Sequence, residues 1–433
     1  MEVPKNLIER WQRNINSGSS KKKRNLIKLA IILGLCAVAA FLIIFYMTDL
    51  ISKPNEELGV VNNPGEWPMY GRDLARSGLE KLGDVVPKGE VTKVFTANAG
   101  MHSSPVIAGG VIYVGSRDGN LYAIQESSGQ LLWSHKTESW VESSAAVVNN
   151  VVYFGSNDGK FRALNAKTGE KLWEYTARYP IKSSAAVAGG KVYFGGDDYT
   201  LHCLDAVTGK RIWSKETGGT INSSPAVSGG IVFFGSTDGN LYALDASNGR
   251  QRFRLNTRRI IVSSPIVSGD TVYFSTTDAV VFASDGKARN WFGEFIIRPP
   301  WQVLAFYGDL PAPPPPSGFL WSLLSWGDTS VASPTLQGEN IYVGFAKKVV
   351  SINVSARGKQ WETPVEDNVV YAGVLSQGIV YAATANGHLY LLETANGRII
   401  RDIPIGGPIF SDPLMVDGKV YISSEDGNLY VVR

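Results

Sequence analysis

The feature that most constrains the fold of this chain is a pair of residues, usually Ser-Ser, that recurs every 40 residues. The pairs begin at Ser103, Ser143, Ser183, Ser223 and Ser263, and the aromatic residue ten positions farther on extends the series to Ala332, Tyr371 and Ser411, which makes eight units. Within a unit, runs such as IVFFGS and NLYALD are rich in Val, Ile, Tyr, Phe and Leu and have a period of two. This pattern predicts short strands and not helices.

Three turn signals divide each unit into four runs. The first is a pair such as Gly109-Gly110 or Asn149-Asn150, which tolerates the positive φ of a two-residue hairpin. The second is Asp-Gly, and the third is glycine after Thr, Ser or Asn. The four runs and three turns of each unit therefore predict a four-stranded antiparallel meander. Eight meanders cover one another's faces when they pack radially, so the sequence predicts an all-β fold, an eight-bladed β-propeller of four-stranded antiparallel blades.

The two ends of the repeat region predict how the ring closes. The eighth unit stops at Leu429–Arg433 without a fourth strand, whereas Val91–Thr96 precedes the first unit. We expect Val91–Thr96 to complete the eighth blade, with Phe95 at the position that an aromatic residue takes in other units. Those aromatic residues, which we interpret as packing between blades, are Trp133, Trp173, Trp213, Phe253 and Trp361.

Three segments carry a family resemblance. They are Asn165–Trp173 (NAKTGEKLW), Asp205–Trp213 (DAVTGKRIW) and the leader Trp67–Gly78 (WPMYGRDLARSG). With the Ser-Ser-Pro starts, they resemble the pyrroloquinoline-quinone (PQQ)-like propeller repeat over residues 66–433. The chain is most similar to the short, non-enzymatic propellers of the BamB type, which are outer-membrane-protein assembly factors. This resemblance implies a binding or scaffolding role.

The same repeat also resembles the larger quinoprotein dehydrogenases, which implies PQQ, a calcium ion and an aspartate base as an alternative. Those enzymes are usually longer, and many have adjacent cysteines at the cofactor, whereas this chain has only Cys36 and Cys203. Its four histidines are scattered, and its Asp-Gly turns lack the further acidic ligands of a calcium loop. We therefore expect no catalytic residue, cofactor or metal, with PQQ as the open alternative.

The N-terminal residues predict a membrane anchor. Leu29–Met47 contains nineteen residues without a charge, which is enough to cross a hydrocarbon core of about 30 Å. We divide the chain into a basic tail (1–25), a transmembrane helix (26–48), a linker (49–65) and the propeller (66–433). The alternative is a signal peptide that is cleaved after the small residues Ala37-Val38-Ala39.

Charge sets the expected orientation. Residues 1–28 contain eight Lys/Arg and two Glu, so 42 − 8 = 34 basic and 39 − 2 = 37 acidic residues remain, a net charge of −3. The positive-inside rule then leaves the N-terminus in the cytoplasm and the propeller outside, in the periplasm of a bacterium. The mildly acidic propeller also argues against a nucleic-acid partner, which requires clustered Lys/Arg.

The residue just before each first strand differs between the two halves of the ring. It is polar in units one to four, at His102, Glu142, Lys182 and Asn222, and apolar in units five to eight, at Val262, Val331, Val370 and Phe410. If the first strands line the axis, one mouth of the channel is half polar and half apolar. The alternative is neutral variation in a solvated rim.

An insertion interrupts the repeat between units five and six, which are spaced by 69 residues instead of 40. The 29 extra residues fall near 298–326, with prolines at Pro311 and Pro313–Pro316. We expect the insertion to join the outer strand of one blade to the inner strand of the next, on the face of the channel mouth. Its aromatic residues, which we assign to partner binding, are Trp301, Phe306, Tyr307, Phe319, Trp321 and Trp326. The alternative is a lid over the channel.

These observations predict a membrane-anchored, extracytoplasmic propeller that binds another protein as a scaffold in a membrane complex. A quinoprotein oxidoreductase is the alternative. A sensor ectodomain is a third hypothesis, which residues 1–25 disfavour because they are too few for a cytoplasmic output domain.

The orientation can be tested with protease. Because the basic residues flank the apolar run on one side only, residues 66–433 should resist protease in inside-out inner-membrane vesicles and be digested in spheroplasts. Immunoblotting for the propeller measures both outcomes, and digestion in the inside-out vesicles would contradict the orientation.

Overall fold

The structure is a computed structural model that describes residues 69–71, 73, 86–291, 293–308, 310–324, 329, 332–376 and 378–433. The predicted tail, transmembrane helix and linker lie outside these ranges, as do Trp326 and Val331. Within the described ranges, no helix combines the length and the hydrophobicity that a membrane crossing requires.

The described residues form strands β1–β32 and one helix, α1 (Glu294–Phe306). The strands are β1 Val91–Thr96, β2 Val106–Ala108, β3 Val111–Gly115, β4 Asn120–Gln125, β5 Leu131–Lys136, β6 Ala146–Val148, β7 Val151–Gly155, β8 Lys160–Asn165, β9 Lys171–Thr176, β10 Ala186–Ala188, β11 Lys191–Gly195, β12 Thr200–Asp205, β13 Arg211–Glu216, β14 Ala226–Ser228, β15 Ile231–Gly235, β16 Asn240–Asp245, β17 Gln251–Asn256, β18 Ile266–Ser268, β19 Thr271–Ser275, β20 Val280–Asp285, β21 Phe319–Leu324, β22 Thr335–Gln337, β23 Asn340–Phe345, β24 Lys348–Asn353, β25 Gly358–Pro364, β26 Val369–Ser376, β27 Ile379–Thr384, β28 His388–Glu393, β29 Ile399–Pro404, β30 Leu414–Val416, β31 Lys419–Ser423 and β32 Asn428–Val432.

The strands form eight antiparallel four-stranded sheets, which confirms the predicted eight-bladed propeller. Seven sheets use four consecutive strands, and the eighth has the order β1-β32-β31-β30. Val91–Thr96 therefore closes the ring as expected. The alignment of Phe95 with the tryptophans was wrong, because a bulge between Lys93 and Phe95 shifts the register. Phe95 pairs with Leu429, which is the pairing that His135, and not Trp133, makes with Leu121 in the first blade. The Phe95 ring lies 4.9 Å from the Tyr122 ring of the first blade.

The two serines of each pair make different hydrogen bonds. The first joins two strands of its own blade: the Gly115 amide donates to Ser103 Oγ at 2.6 Å, and Ser103 Oγ donates to the Gly115 carbonyl at 3.2 Å. The second joins neighbouring blades, since the Ser104 amide donates to Ser144 Oγ at 2.9 Å. The same 2.9 Å bond recurs from Ser144 to Ser184, Ser184 to Ser224, Ser224 to Ser264, Ser264 to Ser333 and Asp412 to Ser104. We call this series the axial belt.

Tryptophans link the blades at their outer strands. The Trp133 indole donates to the Ala166 carbonyl of the next blade at 3.0 Å, and Trp173, Trp213 and Trp361 make the equivalent bond. The indole also packs on the glycine of the next blade's third turn. A Cβ atom added to Gly169, which has φ 73°, would lie 2.7 Å from the Trp133 ring. The third-turn glycine is therefore needed for both its backbone conformation and the close approach of the ring.

The Asp-Gly motifs are hairpin turns that also tie neighbouring loops together. Asp118 accepts hydrogen bonds from the Asn120 amide at 2.9 Å and from the Tyr122 hydroxyl at 2.6 Å. The Asn98 amide, in the preceding interblade loop, donates to the same carboxylate at 3.0 Å. These donors hold the pKa of Asp118 below its ordinary value although burial opposes them.

The insertion lies elsewhere than expected. It separates β20 from β21, the third and fourth strands of the fifth blade, and so replaces a short outer turn. The Asn290 amide donates to the Arg252 carbonyl, and the Arg254 amide donates to the Asn290 side-chain oxygen. The segment that leads into α1 therefore runs along the outer strand β17. The insertion therefore covers the side of the fourth blade and does not form a lid over the channel. The sequence interpretation was wrong because β21 was counted as part of the loop.

The axial belt can be tested by removing one hydroxyl group. Ser184→Ala leaves the buried Ser144 amide without its acceptor, which should lower the free energy of unfolding by about 1–3 kcal/mol. Ser128→Ala, at an exposed turn, is the matched control and should change it little. Chemical denaturation of both variants measures the difference, and equal stability would show that the belt contributes nothing.

Candidate functional site

The described part of the leader, Met69–Gly71, lies at the axis of the propeller. Met69 is buried in the hydrophobic cluster of blades two and three, whereas the Tyr70 hydroxyl lies 3.5 Å from Ser333 Oγ in blade six. Because these blades are on opposite sides of the ring, Met69 and Tyr70 together reach across the channel. Tyr371 replaces the first serine in blade seven and projects into the same space, where burial raises its pKa well above the ordinary value.

The remaining axial cavity is small. It measures about 30 Å³ and is lined by residues from the leader and the first strands, including Tyr70, Ser104, Ser264, Ser333 and Tyr371. Pockets for cofactor-sized ligands are about 300–1,000 Å³. Among the described residues, no group of three or more His, Cys, Asp or Glu could hold a metal ion. The cavity left at the axis is therefore smaller than a site for PQQ requires.

The four polar residues of the predicted mouth lie in the connections that lead into the first strands of blades one to four. In the first two blades they belong to one charged network. Arg117 bonds to Glu142 at 2.9 Å and to Glu425 at 3.3 Å, and Glu425 also bonds to His102. The Asn157 side-chain amide donates to the Glu142 carboxylate at 2.9 Å. Lys182 instead pairs with Asp197 within its own blade at 2.9 Å.

The pKa values reflect these contacts. Burial alone would raise the pKa of Glu142, but hydrogen bonds from Asn157 and Arg117 hold it below the ordinary value. Burial, followed by the charge of Arg117, lowers the pKa of His102 against the opposing effect of Glu425. The network therefore favours an ionised Glu142 and a neutral His102.

Exposed aromatic residues lie on the same face of the propeller as this network. Trp140, Tyr179, Tyr199 and Phe410 each expose between 45% and 51% of their surface, and all lie in interblade connections or second turns, on the same face. The Arg117 guanidinium lies 4.8 Å from the centre of the Trp140 ring. We call these four aromatic residues, with Arg117, the aromatic rim.

Tyr199 occupies a strained position. Its φ is 66°, and the equivalent second-turn residues Gly119, Gly159 and Gly239 have φ of 85°, 76° and 83°. A non-glycine residue in this conformation costs about 1–2 kcal/mol. The third blade thus exposes an aromatic ring where its neighbours have glycine, which is the kind of strain that accumulates at functional positions.

The structure separates the aromatic residues that were assigned to the insertion. Trp321 lies in β21, paired with Ala283, and is 9% exposed, so it occupies the position of Trp133 in the first blade. Phe319 packs against the core of blades four and five. Trp301 donates to the Pro311 carbonyl at 2.7 Å. Phe306 and Tyr307 are 84% and 73% exposed. Of the described members of the set, only these two present a largely free surface.

Sequence reasoning missed the aromatic rim and the plugged axis. The rim was detectable in part, since Tyr199 interrupts a series of second-turn glycines. The leader gave no such signal, because the path of Met69–Gly71 across the ring depends on the closed fold.

Comparison with known proteins agrees with the fold. Residues 68–216, 197–372 and 366–433 match the family described as outer membrane protein assembly factor BamB. The crystal structure of BamB from Moraxella catarrhalis is similar, with a TM-score of 0.63 and 18% identity over 79% of this chain and 97% of that chain. No curated protein sequence matches the chain.

Enzymes share the architecture. Quinohemoprotein alcohol dehydrogenase from Comamonas testosteroni has a TM-score of 0.68 and 14% identity, over 85% of this chain and 80% of that chain. A europium-containing methanol dehydrogenase has a TM-score of 0.66 and 13% identity, over 83% and 89% of the two chains. At these identities, the similarity to the solved structures establishes the fold alone.

The charged network should make stability depend on pH. Because the pKa of His102 is lowered in the folded state, the unfolded chain binds this proton more readily as the pH falls below about 6.5, and stability decreases. The melting temperature should therefore fall between about pH 7.5 and about pH 5.5, and His102→Gln should reduce the fall. His135, whose pKa is also lowered by burial, should contribute to the fall that remains in this variant. An equal fall in wild type and His102→Gln would contradict this role.

Proposed function

The chain belongs to the family of the outer membrane protein assembly factor BamB, and from this premise we propose that it is a scaffold subunit that binds another protein of a membrane complex. We place the propeller on the periplasmic side of a bacterial cytoplasmic membrane, held by residues 26–48 with the N-terminus in the cytoplasm. The uncharged run Leu29–Met47 and the basic residues before it support this anchoring.

The aromatic rim is the observation that carries the proposal. Trp, Tyr and Arg are the residues that most often dominate binding energy at protein interfaces. Arg117 is already held by Glu142 and Glu425 and lies beside the Trp140 ring, so these side chains lose little conformational entropy on binding. Ala279 has the same positive φ at this turn of the fifth blade but is buried, whereas Tyr199 presents an aromatic ring to solvent there.

The exposed end of α1 is proposed as a second contact. Phe306 and Tyr307 stay exposed for such a contact, but the surface around them is apolar, so we do not assign it to the protein that binds the aromatic rim. Trp301 positions this segment through its bond to Pro311. Trp321 is left out of this surface because it is buried between blades. The two contact surfaces lie apart on the propeller: one is around the channel mouth and the other is on the side of blade four.

A catalytic role draws its support from the dehydrogenases of similar fold. The leader and Tyr371 occupy the axis, and the cavity of about 30 Å³ is too small for the quinone. We therefore propose no cofactor and assign no catalytic residue.

Co-purification tests the scaffold role. The full chain, extracted from membranes in mild detergent, should retain a stoichiometric protein partner, and the double variant Trp140→Ala/Tyr199→Gly should lose it. Each anchor should contribute about 2 kcal/mol, or about thirtyfold in affinity. Because glycine relieves the φ strain, Tyr199→Gly alone should not lower the melting temperature.

The matched control is Val207→Ser. Val207 is 82% exposed at the third turn of blade three, on the opposite face of the propeller. This variant should keep the partner. Retention of the partner by the double variant would contradict the assignment of the aromatic rim.

A further inference from the structure

Helix α1 exposes an apolar stripe to solvent. Ile296 is 80% exposed, Val303 56%, Phe306 84% and Tyr307 73%. Positions 296, 303 and 307 follow the spacing i, i+7 and i+11, which places them on one side of a helix, and Phe306 lies beside Val303. Ile297 and Leu304, at 47% and 42% exposure, widen the stripe. We call Ile296, Ile297, Val303, Leu304, Phe306 and Tyr307 the α1 stripe.

Polar contacts on the other side of α1 keep the stripe facing outward. The Glu294 carboxylate is 3% exposed and accepts from the Ser317 amide at 2.7 Å, the Ser317 hydroxyl at 2.6 Å and the Asn290 side chain at 2.9 Å. Trp301 donates to the Pro311 carbonyl at 2.7 Å, and Arg298 donates to the Pro314 carbonyl at 3.1 Å. These bonds fix both ends of the insertion to each other, so the stripe does not fold back onto the propeller.

Cations border the stripe. The Arg254 guanidinium lies 3.9 Å from the centre of the Phe295 ring, and Arg258 donates to the Gln302 side chain at 3.4 Å. Arg298 belongs to α1 itself. Residues 250–300 contain eight Lys/Arg and four Asp/Glu, a net charge of +4, in a propeller that is mildly acidic. An apolar helix face with basic residues beside it is the pattern of a helix that lies in a membrane interface.

We propose that the α1 stripe binds the surface of an anionic lipid bilayer, with its aliphatic side chains at the boundary of headgroups and acyl chains and Arg254, Arg258 and Arg298 facing the lipid phosphates. This inference rests on the proposed membrane anchoring. The linker, residues 49–65, spans at most about 60 Å, so it keeps the propeller within reach of the bilayer that its own chain crosses.

The chemistry of the stripe favours lipid over a protein partner. Of its six side chains, only Tyr307 has a polar group. Protein interfaces carry about one hydrogen bond per 100–200 Å². The aromatic rim, which includes Arg117, has polar groups that can make such bonds, and the α1 stripe has almost none. Acyl chains need no hydrogen bonds. Tyrosine at the edge of such a stripe is also typical of the membrane–water interface.

A fluorescent label on the stripe tests the proposal in the full chain. Phe306→Cys in a Cys36→Ser background is labelled with bimane and reconstituted into nanodiscs of phosphatidylglycerol and phosphatidylcholine. Cys203 is fully buried, and burial raises the pKa of its thiol to about 12, so it does not react. Brominated acyl chains should quench the label about threefold or more, and replacing phosphatidylglycerol by phosphatidylcholine should reduce the quenching.

Two variants serve as controls. A label at Val207→Cys is equally exposed, at 82%, on a turn outside the insertion, and it should remain unquenched. Ile296→Asp with Val303→Asp in the Phe306→Cys chain should remove the quenching without changing the melting temperature, because both positions are exposed.

The outcomes separate this inference from the membrane anchoring. Failure of the full chain to enter nanodiscs would contradict the anchor, and the inference that rests on it would fall as well. Entry with an unquenched label at position 306 would overturn the lipid contact alone. Quenching that survives the two aspartates would also overturn it, because the label would then reach the lipid without the apolar side chains of the stripe.

Discussion

The axial belt is the interaction on which the rest of the structure depends. Each bond joins a backbone amide of one blade to a serine hydroxyl of the next at 2.9 Å, close to the axis. The donor and acceptor are buried, so each unmade bond would leave a polar group without water. Because the bond requires serine at the same point of each unit, it explains why the Ser-Ser pair is the most regular feature of the sequence. Asp412 of blade eight donates to Ser104 of blade one, so the belt links the blades except at blade seven, where Ala372 has no hydroxyl group.

The axial belt is interrupted at the blade whose side chain blocks the channel. In blade seven the pair is Tyr371-Ala372, and the tyrosine ring enters the axial cavity together with Tyr70 of the leader. The two tyrosine side chains pack the axis, and the space that they leave is too small for a large ligand. Variation is concentrated instead at the turns and interblade connections, which tolerate charged and aromatic residues without disturbing the blades. The aromatic rim and the α1 stripe are both built on such segments.

Much of the fold could be predicted from the sequence because each blade repeats the same local signals. Period-two runs, glycine turns and an unpaired last unit were sufficient for eight blades and for closure by Val91–Thr96. The position of the insertion could not be obtained from spacing, since a 29-residue excess has no defined place within a unit. A signal did exist, because Phe319-Leu320-Trp321 resembles the Lys171-Leu172-Trp173 start of another fourth strand.

The candidate sites were less predictable than the fold. The polar mouth residues were recognised by their place in the repeat, but their network depends on Arg117 and Glu425, which lie in second turns of neighbouring blades. Trp140, Tyr179 and Phe410 had to be placed on one face before they formed a surface. Phe306 and Tyr307 could be distinguished from Phe319 and Trp321 only when burial was known, since all four are large aromatic residues in the same stretch of sequence.

The central claim is that this propeller works through its outer surfaces and not through a cofactor at its axis. A titration of the purified full chain with PQQ and calcium, followed by quinone absorbance and by calorimetry, tests it most directly. The filled axis predicts no saturable binding and no change in melting temperature. Stoichiometric binding of the quinone, with a rise in melting temperature, would contradict the account and point to an oxidoreductase.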